Sequence, residues 1–217
     1  MTREERRARR EWEKAMERDL KTACKETGKR RGWKTVSGEQ YQVRDGMLYI
    51  LYVSFPVFDV GRVLKAHLHF KPVAVDEMYW DVFHMREVAD SQPFSFHVKG
   101  AFTARGLWLP LWKEPVPSPE ELPAAVEAVF DRAEALVGEN AFPDPASYRK
   151  RLEAEEQPRT LEIILALLCE GAYEEAMERI NAALARGDNG GFSRESGRRS
   201  IMEDARDYCA ARLEGRA

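Results

Sequence analysis

The segment from Met47 to Phe55 is almost continuously apolar and is rich in β-branched and aromatic side chains. The turn-forming pair Asp45-Gly46 stands directly before it. A short apolar run after such a turn predicts a buried β-strand, and a short strand from Tyr41 to Val43 is placed to pair with it as a hairpin. Because a sheet must bury its apolar face against another layer, the rest of the chain has to supply further strands and a covering layer of helices.

The next segment, residues 62–70, alternates between apolar and polar side chains. One side of the predicted strand carries Leu64, Ala66, Leu68 and Phe70, and the other side carries Lys65, His67, His69 and Lys71. This period of two predicts a strand with one core face and one polar face. Residues 79–84 and 94–102 are predicted as two further strands, and the short connections favour an antiparallel meander.

Helical periodicity dominates both ends of the chain. Residues 3–27 place apolar side chains at spacings of three and four, which predicts an amphipathic helix that ends at Gly28. Ser118 and Glu121 form a capping box that predicts the start of another helix, which Pro123 should bend or delay. Further helices are predicted over residues 146–156, 161–169, 173–186 and 200–213, and the mixed charges of the first of these predict an exposed helix.

These patterns predict an α+β fold, with an N-terminal helix on a mostly antiparallel sheet of about four or five strands and a C-terminal helical region that contains an αα-hairpin. Residues 1–113 form the helix and the sheet, the proline-rich residues 114–119 form a linker, and residues 120–217 form the helical region. We expect the helical region to pack on the sheet as one compact unit, because the N-terminal helix alone offers too little apolar area to cover the sheet.

At 217 residues with a net charge of −3, the chain has an ordinary globular composition. It holds no apolar run of about 18 residues that would span a bilayer, and residues 1–10 lack the apolar segment of a signal peptide. We therefore expect a cytoplasmic protein with no membrane partner. The three cysteines, Cys24, Cys169 and Cys209, have no CxxC spacing and fall on apolar helix faces, so we interpret them as packing residues.

Charge is unevenly distributed along the chain. Residues 1–34 hold 13 Lys and Arg against 7 Asp and Glu, whereas residues 114–156 hold 4 against 11. The basic end, with Lys29-Arg30-Arg31 and Trp33, offers an alternative function in nucleic-acid binding. The interleaved glutamates favour a solvated helix face instead, and the acidic segment is suited to attract a basic partner protein.

All four histidines lie between His67 and His97. His67 and His69 share one predicted strand face, and His97 on a neighbouring predicted strand would complete a three-ligand site for a catalytic metal ion. Lys65 and Lys71 flank the pair on the same face and oppose a cation there. The sequence contains no GxSxG, Walker or GxGxxG motif. We therefore favour a noncatalytic protein that needs no cofactor, with a metal-dependent enzyme as the alternative.

Trp108 and Trp112 form the densest bulky cluster in any predicted loop, beside three leucines. An exposed cluster of this kind binds a partner protein, whereas a buried one covers the open end of the core. Together with the absence of catalytic motifs, the cluster makes a protein-interaction module the leading hypothesis. The apolar stripe around Trp12 serves a dimer as readily as a core, so the pattern leaves the oligomeric state open.

Two stretches resemble known families. About residues 12–70 resemble the opening of a bacterial family catalogued as domain of unknown function 4304. The resemblance rests on Leu20, Lys25-Glu26, Gly28 with the basic cluster after it, Tyr41, Asp45-Gly46 and the apolar strand. Lys29 stands where that family has an aromatic residue, and the resemblance implies a helix followed by a sheet in a bacterial protein, with no activity. Bacterial domains of this size include immunity proteins that neutralise toxins, so an inhibitor-like role follows by analogy.

The second resemblance covers residues 171–184, which are similar to the second helix of a tetratricopeptide repeat. It rests on Gly171, Tyr173, Ala176, Ile180 and Ala183, and the small residues among them imply closely paired helices. Only half of one repeat matches and no second copy is present, so we predict an αα-hairpin and not a solenoid.

Overall fold

The structure, a computed structural model, describes residues 2–58, 61–100, 102–139, 144–156, 159–191, 193–194 and 199–215. It confirms the predicted α+β class. The chain forms two units: the first comprises Met1–Arg44, Leu48–Phe70 and Trp108–Ala141, and the second comprises Asp45–Met47, Lys71–Leu107 and Phe142–Ala217. Each unit is therefore assembled from segments that are distant in the sequence.

The sheet has six strands: β1 (Lys34–Val36), β2 (Glu39–Arg44), β3 (Met47–Ser54), β4 (Val57–Phe58), β5 (Gly61–Pro72) and β6 (Leu107–Pro115). Their order is β1-β2-β3-β5-β4, and β6 also pairs with β5. Asp45 and Gly46 have φ angles of 51° and 75°, as the two-residue turn of a hairpin with right-handed twist requires. The predicted hairpin of β2 and β3 is thus confirmed.

The core of the first unit forms where the strand alternation predicts it. On β5, Leu64, Ala66, Leu68 and Phe70 are buried, whereas Lys65, His67 and His69 are half-buried on the other face. Two helices, α1 (Arg3–Arg30) and α5 (Leu122–Glu139), pack against each other in this unit, and α1 also contacts β1 and β2. Of residues 114–119, predicted as a linker, the first two form the end of β6 and the others lead towards α5.

Two helix boundaries in the first unit have a physical explanation. The predicted end of α1 at Gly28 is wrong, because the helix continues to Arg30. A Cβ atom on Gly28 would lie 2.5 Å from Oε1 of Gln40, so this glycine allows close packing inside the helix. The capping box of Ser118 and Glu121 is formed, yet α5 starts only at Leu122, which matches the delay expected from Pro123.

The second unit is mainly helical. It contains α2 (Val73–Val82), α3 (Arg86–Asp90), α4 (Phe96–Lys99), α6 (Pro145–Glu153), α7 (Thr160–Glu170), α8 (Tyr173–Ala185) and α9 (Ile201–Leu213), with the short pair β7 (Ser193–Arg194) and β8 (Arg199–Ser200). Helix α7 is buried along most of its length and contacts α2, α6 and α8, while α8 packs on α9. Gly171, with φ of 73°, ends α7 and starts the predicted αα-hairpin with α8.

Three local predictions are wrong. Residues 79–84 and 94–102 were expected to be strands, but they lie in or next to the helices α2 and α4. Residues 146–156 were expected to be exposed, yet Tyr148 and Leu152 of α6 are fully buried. Residues 108–112 were expected to form a loop, but they belong to β6. None of the helices in the described ranges is both long and apolar enough to cross a membrane.

Candidate functional site

An aromatic surface lies on the polar face of the sheet in the first unit. We call it the aromatic patch, and it consists of Tyr52, His67, His69 and Trp108. The ring centroid of Trp108 lies 3.9 Å from that of His69 and 4.9 Å from that of His67, and Tyr52 lies 4.4 Å from His69. The indole of Trp108 remains 53% exposed. These residues come from three neighbouring strands, because β3 and β6 both pair with β5.

Two rings of the patch, those of His67 and Tyr52, are mostly uncharged at neutral pH. Burial, and then the nearby charge of Lys65, lowers the pKa of His67 below its ordinary value of 6.5, so this imidazole is mostly neutral. Burial and the neighbouring carboxylate of Glu39 raise the pKa of Tyr52 to about 12, so its phenol keeps its proton. The patch therefore offers half-exposed ring faces, and these two rings add little charge to it.

Both tryptophans predicted to bind a partner lie on β6. Trp108 is exposed, whereas Trp112 is half-buried. The indole Nε1 of Trp112 is buried and has no hydrogen-bond partner among the residues that the structure describes. Exposure of Trp108 favours the binding interpretation of the cluster over its interpretation as a cover for the core.

The three predicted metal ligands are divided between the units. His67 and His69 lie on β5, with ring centroids 6.5 Å apart, and both pack against Trp108. His97 lies on α4 of the second unit, so its predicted place on a strand next to β5 is wrong. Within the described part of the chain, no three His, Cys, Asp or Glu side chains are grouped so that they could hold a metal ion. Metal binding by the His67 and His69 pair stays a prediction.

The basic cluster after α1 and the acidic face of α5 bind each other inside the first unit. Arg31 donates to Glu127 at 2.7 Å, to Asp131 at 2.7 Å and to Glu134 at 2.9 Å, and Arg30 also pairs with Glu127. The hydrogen bond from Arg31 is the largest cause that lowers the pKa of Glu127. These groups are therefore engaged with each other, which weakens the nucleic-acid alternative and the proposed attraction of α5 for a basic partner.

The second unit has a buried polar cluster at Asp76. Its carboxylate accepts from Lys71 Nζ at 2.8 Å and from the Ala104 N–H at 2.8 Å, and its Oδ2 lies 3.0 Å from His97 Nδ1. Asp76 is fully buried, and Lys71 and His97 are only 3% and 7% exposed. The predicted place of Lys71 on the polar strand face is wrong, because the side chain turns into this cluster instead.

Asp76 was not singled out from the sequence, although a helical interpretation of residues 73–83 would have found it. Val75, Asp76, Tyr79 and Trp80 recur at helical spacing and form the buried face of α2. A lone carboxylate on such a face requires buried partners, which is the signal that the strand interpretation concealed.

The cluster extends along residues 102–106, which have no regular secondary structure. Six hydrogen bonds connect side chains to the backbone of this segment: Trp80 to Phe102 O, Lys71 to Ala104 O, Ala104 N to Asp76, Arg105 N to Glu162, Tyr148 to Arg105 O and Arg159 to Gly106 O. Buried backbone N–H and C=O groups that lie outside a helix or a β-ladder must find other hydrogen-bond partners. The buried charges of this unit thus have a structural role, and their presence does not require catalysis.

A cavity of about 700 Å³ lies beside this network. Glu162 lines it, and burial raises the pKa of this carboxyl above its ordinary value. Arg105 and Arg159 line it together with three more carboxylates, those of Glu155, Glu156 and Asp188, so the wall has no single sign of charge. A mixed wall of this kind does not define one class of ligand.

The cysteines provide no nucleophile. Cys24 and Cys209 are buried, and the half-buried Cys169 thiol donates to Ala74 O at 3.4 Å. Burial raises the pKa of Cys24 and Cys169 to about 12 and that of Cys209 to about 11. Thiols with these values remain protonated and weakly reactive at neutral pH.

Comparison of the chain with protein families, with curated proteins and with solved structures gives no match. The resemblances to domain of unknown function 4304 and to half of a tetratricopeptide repeat therefore stay predictions.

Proposed function

We propose that the protein is a noncatalytic interaction module that binds another protein through the aromatic patch. Trp108 is the main support for this proposal, because the residue is 53% exposed although its ring contacts that of His69. Tryptophan is highly buried on average, and aromatic side chains supply much of the binding energy at protein interfaces.

The uncharged rings of His67 and Tyr52 favour a protein partner over a nucleic acid. A surface that binds phosphates needs unpaired cations beside its stacking rings. Arg30 and Arg31, which the nucleic-acid alternative requires, are already paired with α5. The metal-dependent alternative would use His67 and His69, but both rings pack against Trp108.

An inhibitor-like role is the form of this function that we favour. In that role the aromatic patch, and not the acidic face of α5, makes the contact, because Glu127, Asp131 and Glu134 are bound to Arg31. An inhibitor that acts through an aromatic anchor depends on burial of apolar area, so its binding should respond weakly to salt.

The experiment is quantitative affinity capture from the native host with wild-type protein and two single variants. Trp108→Ala should weaken capture of the specific partner by roughly 30-fold, the effect of removing an interface hot spot. Trp12→Ala is the matched control. Trp12 is also exposed, at 45%, but it lies on α1, whereas the patch residues lie on β3, β5 and β6. Equal loss in both variants, or no loss in either, would remove the patch from the proposal.

Two measurements separate the alternatives. Elemental analysis of wild type and of a His67→Ala/His69→Ala variant should detect stoichiometric metal that disappears in the variant if the enzyme hypothesis holds. Retention on a nucleic-acid column at low salt, abolished by Arg30→Ala/Arg31→Ala, would support the nucleic-acid hypothesis instead.

A further inference from the structure

A small cavity of about 210 Å³ lies beside His97 in the second unit. Aromatic rings form much of its wall. The centroid of the His97 ring lies 4.5 Å from that of Trp80 and 4.6 Å from that of Phe94, and Phe96 lies 5.6 Å from Trp80. Phe94 is 38% exposed, so the cavity is accessible from solvent.

The imidazole of His97 is oriented by Asp76. A carboxylate only accepts hydrogen bonds, so the contact of 3.0 Å between Asp76 Oδ2 and His97 Nδ1 places the proton of a neutral ring on Nδ1. The other nitrogen, Nε2, then has a free lone pair, and no hydrogen bond to it occurs among the residues that the structure describes. Lys71 and the Ala104 N–H hold the second oxygen of Asp76, which keeps this orientation fixed.

Several hydrogen-bond donors in the wall are engaged within the protein. Arg86 donates to both carboxylate oxygens of Asp81 at 2.7 Å and to the backbone carbonyl of Glu77 at 3.2 Å. The indole N–H of Trp80 donates to Phe102 O at 2.6 Å. These donor groups are therefore not available to a ligand.

The acceptors in the wall remain open. Besides Nε2 of His97, the side chains of Glu77 and Asp90 line the cavity, and neither carboxylate makes a hydrogen bond within the described ranges. The Asp81 hydrogen bond is the largest cause that raises the pKa of Arg86, and the charges of Glu77 and Asp90 raise it further. The complement of such a wall is a cation that donates hydrogen bonds.

We propose that this cavity binds an organic ammonium group of the primary-amine type. Its N–H groups would donate to Nε2 of His97 and to the carboxylates of Glu77 and Asp90, and its charge would lie against the faces of Trp80 and Phe94. The ligand is either a free alkylamine or the side chain of a lysine. The site belongs to the second unit and does not depend on the aromatic patch.

Titration of the full-length, ¹⁵N-labelled protein with n-butylammonium chloride tests the proposal through the indole N–H signal of Trp80. We expect a saturable shift with n-butylammonium, no shift with n-butanol, and weaker binding of tetramethylammonium, which has the charge but no N–H donor. Equal binding of tetramethylammonium, or parallel shifts of the exposed indoles of Trp12 and Trp108, would overturn the proposal.

Three variants connect the binding to the cavity. Glu77→Gln/Asp90→Asn should weaken n-butylammonium binding by about fivefold, the upper range for exposed charge pairs. Phe94→Ala should weaken it by about threefold through the loss of one ring face. Val88→Ala is the control, since Val88 is 52% exposed on α3 but does not line the cavity, and it should leave binding unchanged. Unchanged affinity in both cavity variants would contradict the assignment.

A blocked Gly-Lys-Gly peptide separates the two sources of the amine. Tighter binding of the peptide than of n-butylammonium assigns the cavity to a lysine of another protein. Tighter binding of n-butylammonium assigns it to a free amine. Failure of both probes to bind would overturn the proposal without affecting the aromatic patch.

Discussion

Replacement of Asp76 by asparagine removes one charge from the buried cluster of the second unit and keeps the shape of the side chain. Lys71 Nζ lies 2.8 Å from Asp76 Oδ1, and the two side chains are 4% and 0% exposed. In the variant, the ammonium group stays buried without its carboxylate. Burial lowers the pKa of Lys71 and Asp76 opposes this effect, so the loss of Asp76 leaves the desolvation of the lysine uncompensated.

The expected loss of stability is about 3–5 kcal/mol, the effect of removing one partner of a buried ion pair. This is a large fraction of the roughly 5–15 kcal/mol that stabilises a typical protein. A second change, Lys71→Met, removes the stranded charge. The double variant Lys71→Met/Asp76→Asn should therefore be more stable than Asp76→Asn alone, by about 2 kcal/mol.

Urea unfolding followed by circular dichroism measures these differences, and hydrogen exchange at the Ala104 amide reports the site itself, because this N–H donates to Asp76. Asp207→Asn serves as the control, since the pair of Asp207 with Arg199 lies at the surface. It should change stability by less than about 1 kcal/mol. A loss below about 1 kcal/mol for Asp76→Asn would refute the reasoning. The same holds if Lys71→Met/Asp76→Asn is less stable than Asp76→Asn alone.

Two further variants test other parts of the fold. Burial raises the pKa of Glu162 above its ordinary value of 4.5. The ionised carboxylate therefore lowers the stability of the fold at neutral pH. This loss of stability disappears as the pH falls through the folded-state pKa. Glu162→Gln should therefore raise the melting temperature at about pH 7 and have little effect near pH 4, and an equal effect at both would contradict the assignment. Gly28→Ala places a Cβ 2.5 Å from the buried Gln40 and should cost about 1–3 kcal/mol in thermal unfolding despite the higher helix propensity of alanine. Gly138→Ala, with nothing within 4 Å, is its control and should be neutral or stabilising.

The parts of the fold that the sequence predicts correctly depend on local signals. The turn at Asp45-Gly46 and the alternation along β5 need only a few neighbouring residues to be recognised. The capping box before α5 and Gly171 after α7 mark helix ends in the same way. Each of these features determines backbone conformation or side-chain direction without reference to the remaining chain.

The failures depend on tertiary context. Residues 73–83 are rich in β-branched and aromatic side chains, yet they form α2 because their buried positions recur at helical spacing against α7 and α9. Residues 94–102 alternate over only three apolar positions, and the short helix α4 instead places His97 against Asp76. Composition predicts burial in both segments, but burial alone does not distinguish a strand from a helix.

The candidate site shows the same division. The contacts of Trp108 with His67 and His69 depend on the pairing of β5 with β6. This pairing joins residues about 40 positions apart in the sequence and has no local signature. Periodicity placed both histidines on one strand face, and it could not show that an indole from another strand lies against them. The sequence therefore predicts the chemical groups of the patch but not their arrangement.

Charge distribution provides the clearest case, because the excess of basic residues near the N-terminus and the excess of acidic residues after position 113 suggested two separate binding surfaces. Arg31 instead binds Glu127, which is 96 positions away in the sequence, and it also binds Asp131 and Glu134. The guanidinium of Arg31 offsets part of the negative charge of these three carboxylates, so their attraction for a distant partner is weaker than the run of like charge indicates. A run of like charge therefore indicates a binding surface only where the fold does not supply the opposite charge. The patch around Trp108 does not depend on a run of like charge, and a search for partners of this unit should begin there.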